Sequence, residues 1–139
     1  MTYNKNASYT AEVEKRLAQY NIEHIILRDY LSNSDMVCLR KCADMFIHAQ
    51  ETDANSVSLA EHLLCNNIVV NGSWLRYENR ETFGVPYYTF DKFEDLPEVL
   101  VTAFKGGSLV SEELVNSISA EGWNTVTSKW IDYFEQVSK

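Results

Sequence analysis

Residues 43–71 read ADMFIHAQETDANSVSLAEHLLCNNIVVN and contain the strongest structural pattern in the chain. Residues 43–48 form a short apolar run that stops at the polar residues 50–53, a pattern typical of a buried strand followed by a surface loop. From Asn55 the apolar residues recur at helical spacing, and the β-branched run 68–70 follows directly. The stretch therefore predicts a βαβ unit with two parallel strands and a right-handed crossover.

The segments on both sides of this unit continue the alternation of helices and strands. Strands are predicted at residues 22–27, 43–48, 68–70 and 85–90. Helices are predicted at residues 8–20, 32–43, 55–66, 74–83, 94–104, 111–120 and 123–137. We therefore expect an α/β fold, a Rossmann-like doubly wound parallel sheet of about four strands with a helical C-terminal tail.

Local signals define several helix ends. Ser32 followed three residues later by Asp35 predicts a capped helix start, and Asn66 predicts the end of the central helix. Trp123 and Trp130 lie at helical spacing among aliphatic residues. We expect these two tryptophans to anchor the core rather than to serve as stacking platforms.

Composition restricts the class of protein. A chain of 139 residues with 45% hydrophobic content can bury one core, so a single domain is expected. The net charge of -8 argues against non-specific binding to nucleic acid or to anionic membranes, because both depend on clustered positive charge. The apolar runs are short and residues 2–10 are polar, which predicts no membrane span, no signal peptide and a cytoplasmic location.

The three cysteines lack the spacing of a metal finger. Cys38, Cys42 and Cys65 are an odd number, which is typical of a reducing compartment. A zinc site that joins Cys38 and Cys42 with His48, or with His62 and Cys65, is the alternative. We expect the cysteines to be small buried hydrophobic residues, with no metal site.

The central stretch resembles a known family. Asp53 stands eight residues before Glu61, and the chain then reads EHLLCN from Glu61 into a β-branched run. This order is similar to the signature region of retaining, nucleotide-sugar-dependent glycosyltransferases of the group 1 type, which have the two-domain GT-B fold. Asp53 stands where the family usually has glutamate, and Ala54 and Ser56 replace its glycines. The likeness is specific over residues 22–71.

The resemblance implies a function. It implies that Glu61 accepts hydrogen bonds from ribose hydroxyls, that Asp53 contacts the donor sugar as the catalytic carboxylate, and that backbone groups near Arg28 and Tyr30 read the base. It also implies transfer of a hexose-type sugar from a nucleotide-diphosphate sugar to a polysaccharide or glycoconjugate, without another cofactor. The resemblance further implies that the chain is the C-terminal, donor-binding half of a longer enzyme. Without the N-terminal acceptor domain, the chain is expected to be inactive alone.

The physical logic of the motif stands apart from the family. If the central helix starts near Ala54, the N–H groups of Asn55, Ser56 and Val57 point their partial positive charge at a diphosphate. Ser58, like Ser56, adds a hydroxyl donor. At 1.5 Å per residue the two carboxylates would then lie about 12 Å apart along the helix.

Two questions stay open at this point. His48 ends a strand and is interpreted as a packed residue rather than as a base. The alternative function is a non-catalytic protein-interaction domain derived from the same fold, which the acidic charge favours. The spacing from Asp53 to Glu61 favours the enzyme.

Overall fold

The strands between residues 45 and 90 form a three-stranded parallel sheet. The computed structural model describes residues 7–137, apart from the side chains of residues 123–125, 132, 134, 135 and 137. The strands are β1 (Met45–His48), β2 (Ile68–Gly72) and β3 (Tyr88–Phe90), in the order β1-β2-β3. Met45 pairs with Ile68, and Val70 pairs with Tyr88. The parallel βαβ unit predicted from the central stretch is therefore present.

The helices follow the expected order along the chain. They are α1 (Ala7–Gln19), α2 (Asn33–Cys42), α3 (Val57–Leu64), α4 (Glu78–Glu81), α5 (Leu96–Gly106), α6 (Glu112–Ala120) and α7 (Trp123–Val137), with a short 3₁₀ turn at Phe93–Asp95. Ser32 caps α2 as predicted, because its hydroxyl oxygen accepts from the Asp35 N–H at 3.2 Å. Asn66 takes a left-handed conformation directly after α3, as its predicted role in ending that helix requires.

Helices cover both faces of the sheet. Because side chains alternate along a strand, Val69 and Val70 of β2 point to opposite faces. Val69 joins one buried cluster with residues of α3 and α6, including Leu59 and Leu114. Val70 joins a second cluster with Ala103 of α5. The fold is therefore α/β with a small parallel sheet between helical layers.

The prediction of a strand at residues 22–27 was wrong. These residues take neither helical nor strand structure, and Ile25 is 87% exposed. A strand is stable only where a neighbouring strand accepts and donates its backbone hydrogen bonds, which an apolar run by itself does not supply. The chain divides into two compact units at Met36, inside α2, and residues 22–27 lie in the first. The sheet of the second unit has three strands instead of about four.

Two predictions about buried side chains were also wrong. Trp130 of α7 is 56% exposed and stacks edge-on against Tyr133, so it does not anchor the core. The side chain of Trp123 lies outside the described residues. Cys38 and Cys42 are exposed rather than buried, and Cys65 is partly buried. Within residues 7–137, none of the helices combines the length and apolar character that crossing a membrane requires.

Candidate functional site

The carboxyl ends of β1 and β2 open into a cleft of about 550 Å³. Its walls come from the two loops that follow these strands, and they consist of Glu51, Thr52, Asp53, Ala54, Trp74 and Leu75. Ligands of open parallel sheets bind at this edge, because the loops that leave the strands converge there. The loops that follow β1 and β2 therefore meet at the cleft.

Asp53 is held at the cleft by two buried side chains. His48 Nε2 lies 3.3 Å from Asp53 Oδ2 and 2.9 Å from the hydroxyl oxygen of Tyr77. His48 and Tyr77 are both almost completely buried. The interpretation of His48 as a packed residue agrees with this burial, although the imidazole also orients the Asp53 carboxylate.

The protonation of this cluster follows from its surroundings. Burial lowers the pKa of His48, and the nearby Asp53 carboxylate offsets part of this effect. Burial and the Asp53 charge raise the pKa of Tyr77 to about 12. Tyr77 therefore keeps its proton at neutral pH and can donate it in a hydrogen bond to Asp53.

The start of α3 differs from the prediction. The helix begins at Val57, not near Ala54, because Ser56 is its cap: the Ser56 hydroxyl oxygen accepts from the Leu59 N–H at 3.1 Å. Asp53 Oδ1 instead accepts from the Asn55 N–H at 3.2 Å, which closes a turn before the helix.

Several candidate donors change role as a consequence. Residues 53–56 are not helical, so the estimate of about 12 Å along a helix does not apply between Asp53 and Glu61. Ser56 is buried in its capping position, whereas Asn55 and Val57 are exposed. Ser58 is half-buried in the first turn of α3.

Glu61 forms an ion pair that the sequence did not reveal. Arg40 Nη2 of α2 lies 2.5 Å from Glu61 Oε2, and Arg40 is only 8% exposed. The Glu61 side chain is 40% exposed, and it is not part of the cleft wall. Nothing in the spacing of residues 40 and 61 signals this pair, since it depends on the packing of α2 beside α3.

The residues expected to read a base lie in the first compact unit. Arg28 donates a hydrogen bond to the carboxylate of Glu14 on α1, and Tyr30 is largely exposed. Neither residue follows a strand, because residues 22–27 do not form one. These two residues belong to the first compact unit, whereas the cleft belongs to the second.

Trp74 is the cleft residue that sequence reasoning missed. It was assigned to a helical segment over residues 74–83, but the helix there is the short α4, which starts at Glu78. Trp74 lies in the preceding turn, where its Nε1–H donates to the carbonyl oxygen of Gln50 at 2.8 Å. The signal in the sequence was Gly72, whose missing side chain makes room for the indole.

Other observations complete the description of this region. Among the described residues, no three His, Cys, Asp or Glu side chains lie close enough together to hold a metal ion. The chain was also compared with models of known protein families, with curated protein sequences and with solved structures. None of the three comparisons found a match.

Proposed function

We propose that this chain is the donor-binding half of a glycosyltransferase that moves a hexose-type sugar from a nucleotide-diphosphate sugar to a polysaccharide or glycoconjugate. The observation that carries the proposal is the position of Asp53, held by His48 and Tyr77 at an open cleft where two parallel strands end. The likeness of the central stretch to the group 1 signature supports it. On this proposal the three strands belong to a Rossmann-like doubly wound sheet, in which a further strand pairs with β1 on the side away from β2.

The chemistry of the site suits such a donor. An ionised carboxylate has only acceptor positions, so Asp53 suits the hydroxyl groups of a sugar. The N–H groups at the start of α3, beginning at Val57, carry partial positive charge that favours a diphosphate. Stabilising the charge that grows on the leaving diphosphate is the main catalytic task in such a transfer.

Glu61 is proposed to bind the ribose. Its carboxylate is still partly exposed beside Arg40, so an oxygen remains accessible to a hydroxyl donor. The ion pair fixes the orientation of Glu61 before the ligand arrives, which reduces the entropy lost on binding. Because the acceptor must come from a second domain, we expect the 139-residue chain alone to bind donor without transferring its sugar.

An amide-resolved NMR titration with UDP, GDP, ADP and their hexose conjugates tests the proposal. One nucleotide should cause saturable shifts at residues 53–58 and at Glu61. Asp53→Asn and Glu61→Gln should each weaken binding of the sugar conjugate about tenfold, as expected for losing a charged hydrogen bond.

Glu113→Gln is the matched control for these variants, because it removes an exposed carboxylate from the first turn of α6. It should leave the affinity unchanged. An absence of shifts at millimolar concentrations of all three nucleotides, with a well-dispersed spectrum, would overturn the proposal.

A non-catalytic interaction domain is the second candidate, and exposed apolar residues on two helices favour it. On α5, Val101 and Phe104 are exposed, and on α7 Trp130 and Ile131 are more than half exposed. This candidate predicts that Phe104→Ser leaves the free energy of unfolding unchanged, because the side chain would serve a partner rather than the core. A blank nucleotide titration combined with that result would favour the interaction domain.

A further inference from the structure

We propose that Trp74 is a stacking platform for a neutral pyranose ring, which lies in the cleft with its hydroxyls directed at Asp53. This inference rests on the proposed function and names the part of the donor that occupies the cleft: the sugar, rather than the base or the diphosphate. Trp74 would then be a binding residue that contacts the ligand directly.

The indole of Trp74 is fixed before any ligand binds. Its Nε1–H donates to the Gln50 carbonyl oxygen at 2.8 Å, and its ring meets Phe90 edge-on, with ring centroids 5.3 Å apart. The ring also packs directly on Gly72, where a Cβ atom would lie only 2.4 Å from the indole. A side chain held on three sides loses little freedom when a ring stacks on it.

Trp74 belongs to the cleft wall and is partly exposed. Trp74 is 42% exposed and lines the cleft together with Asp53 and Leu75. An aromatic face carries partial negative charge, so it attracts the weakly positive C–H groups on one side of a pyranose ring. Stacking therefore orients the ring, while its hydroxyl groups donate to the carboxylate.

The charge of the cleft selects among the parts of a nucleotide sugar. None of its six lining residues, all within the described part of the chain, is basic, and two of them, Glu51 and Asp53, are acidic. A diphosphate placed there would be repelled. A nucleobase would also stack on the indole, but its edge carries fewer hydrogen-bond donors than the hydroxyl groups of a hexose and also presents acceptor atoms, which a carboxylate without a proton does not satisfy. A neutral ring with several hydroxyl donors can stack on the Trp74 indole and donate hydrogen bonds to the Glu51 and Asp53 carboxylates.

The test uses the side-chain indole signals of the whole chain in ¹⁵N-resolved NMR. The probes are the methyl glycosides of glucose, galactose and mannose, together with UDP, GDP, ADP and the corresponding nucleotide hexoses. One glycoside should shift the Trp74 Nε1–H signal saturably. Trp130, which lies on α7 and not in the cleft wall, is the internal control and should not respond.

Two substitutions separate stacking from folding. Trp74→Ala should weaken binding of the nucleotide sugar about fivefold and leave the affinity for the nucleoside diphosphate within about twofold, because only the sugar contacts the indole. Trp74→Phe keeps an aromatic face and should fall between the wild type and Trp74→Ala. Trp130→Ala should change neither affinity.

The outcomes distinguish this inference from the proposed function. If a nucleoside diphosphate binds and Trp74→Ala does not weaken binding of its sugar conjugate, the inference is overturned and the proposed function stands. If a glycoside binds through Trp74 while no nucleotide binds, the sugar subsite stands and the proposed function is overturned. If neither glycosides nor nucleotides bind to the folded chain, both are overturned.

Discussion

The guanidinium of Arg40 lies 2.5 Å from the carboxylate of Glu61, with the arginine buried and the glutamate half-exposed. The Nε atom of Arg40 has no hydrogen-bond partner among the described residues, so Glu61 is the main compensation for the buried positive charge. The two ends of this pair are therefore unequal. Removing the Glu61 carboxylate leaves the buried positive charge of Arg40 without its partner. Removing the arginine leaves a carboxylate that is still in contact with water.

This inequality gives the first prediction. Glu61→Gln should lower the free energy of unfolding by about 1 to 3 kcal/mol, less than the loss for a fully buried pair because Glu61 is partly exposed. Arg40→Met combined with Glu61→Gln should restore part of that loss, since a buried charge is then replaced by an apolar side chain. Urea unfolding of the two single variants and the double variant measures the coupling.

The exposed pair between Arg16 and Glu12 on α1 provides the control. Their atoms are 3.0 Å apart, but both side chains are mostly in water, so Glu12→Gln should change the free energy of unfolding by less than about 0.5 kcal/mol. A double variant no more stable than Glu61→Gln alone would contradict the account of Arg40 as a buried charge that needs its partner.

His62 predicts how stability depends on pH. Burial and the charge of Arg40 lower its pKa from 6.5 to about 4. Between these values the unfolded chain binds a proton that the folded chain does not, so the free energy of unfolding should fall as the pH is lowered from 6.5 towards 4. Burial lowers the pKa of His48 too, which contributes in the same direction.

The physical cause lies in the packing of this imidazole. The His62 ring stacks on Phe46, with ring centroids 4.1 Å apart. The side-chain Nδ2 of Asn67 lies 2.9 Å from His62 Nδ1 and donates a hydrogen bond to it. Protonating Nδ1 would remove that acceptor. Urea unfolding between pH 7 and pH 4, compared with His62→Gln, checks the prediction, and the variant should show a flatter profile. Equal slopes in both proteins would exclude His62 as the source.

Glu81 predicts a second change at lower pH. Hydrogen bonds from Arg76 and from the Tyr87 hydroxyl lower the pKa of Glu81 from 4.5 to about 2, although burial opposes them. The stabilisation is complete above pH 4.5 and is lost as the pH falls towards 2. Tyr87→Phe should lower the free energy of unfolding at neutral pH by about 1.5 to 3 kcal/mol, because it removes a hydrogen bond to a charged group.

Tyr88→Phe is the matched control for Tyr87→Phe. The Tyr88 hydroxyl donates to the uncharged carbonyl oxygen of Gly107 at 3.1 Å, so its loss should lower the free energy of unfolding by about 1 kcal/mol. That smaller loss should not depend on pH between 4.5 and 2. Chemical denaturation at several pH values separates the two variants, and identical profiles would refute the role given to Glu81.

Gly106 predicts a steric effect that the same tyrosine can relieve. A Cβ atom at Gly106 would lie 2.2 Å from the Tyr88 hydroxyl oxygen, so Gly106→Ala should push the phenol away from Gly107. We expect a loss of about 1 to 3 kcal/mol in the free energy of unfolding, typical of overpacking. The double variant with Tyr88→Phe should lose less than the sum of the two single variants, because the clashing oxygen is gone. Additive losses would show that Tyr88 is not the obstacle.

The central βαβ unit could be predicted from local sequence patterns. The local patterns are the apolar run that contains β1, the helical spacing of apolar residues in α3 and the β-branched run of β2. All three arise from backbone geometry. The cap at Ser32 and the left-handed Asn66 are local in the same sense, because each requires only neighbouring backbone groups.

The set of side chains that meet at the cleft could not be predicted from the sequence, because it depends on tertiary packing. Residues 22–27 have the apolar pattern of a strand, but a strand also needs a hydrogen-bonding neighbour, and local sequence does not specify one. His48 and Tyr77 are 29 positions apart, and Trp74 reaches back 24 positions to Gln50. Contacts of this kind depend on how the strands and loops pack together, because residues far apart in the chain have no shared periodicity that could announce them. The buried partners of Asp53 and Glu61, and the indole beside the cleft, therefore emerged from packing alone.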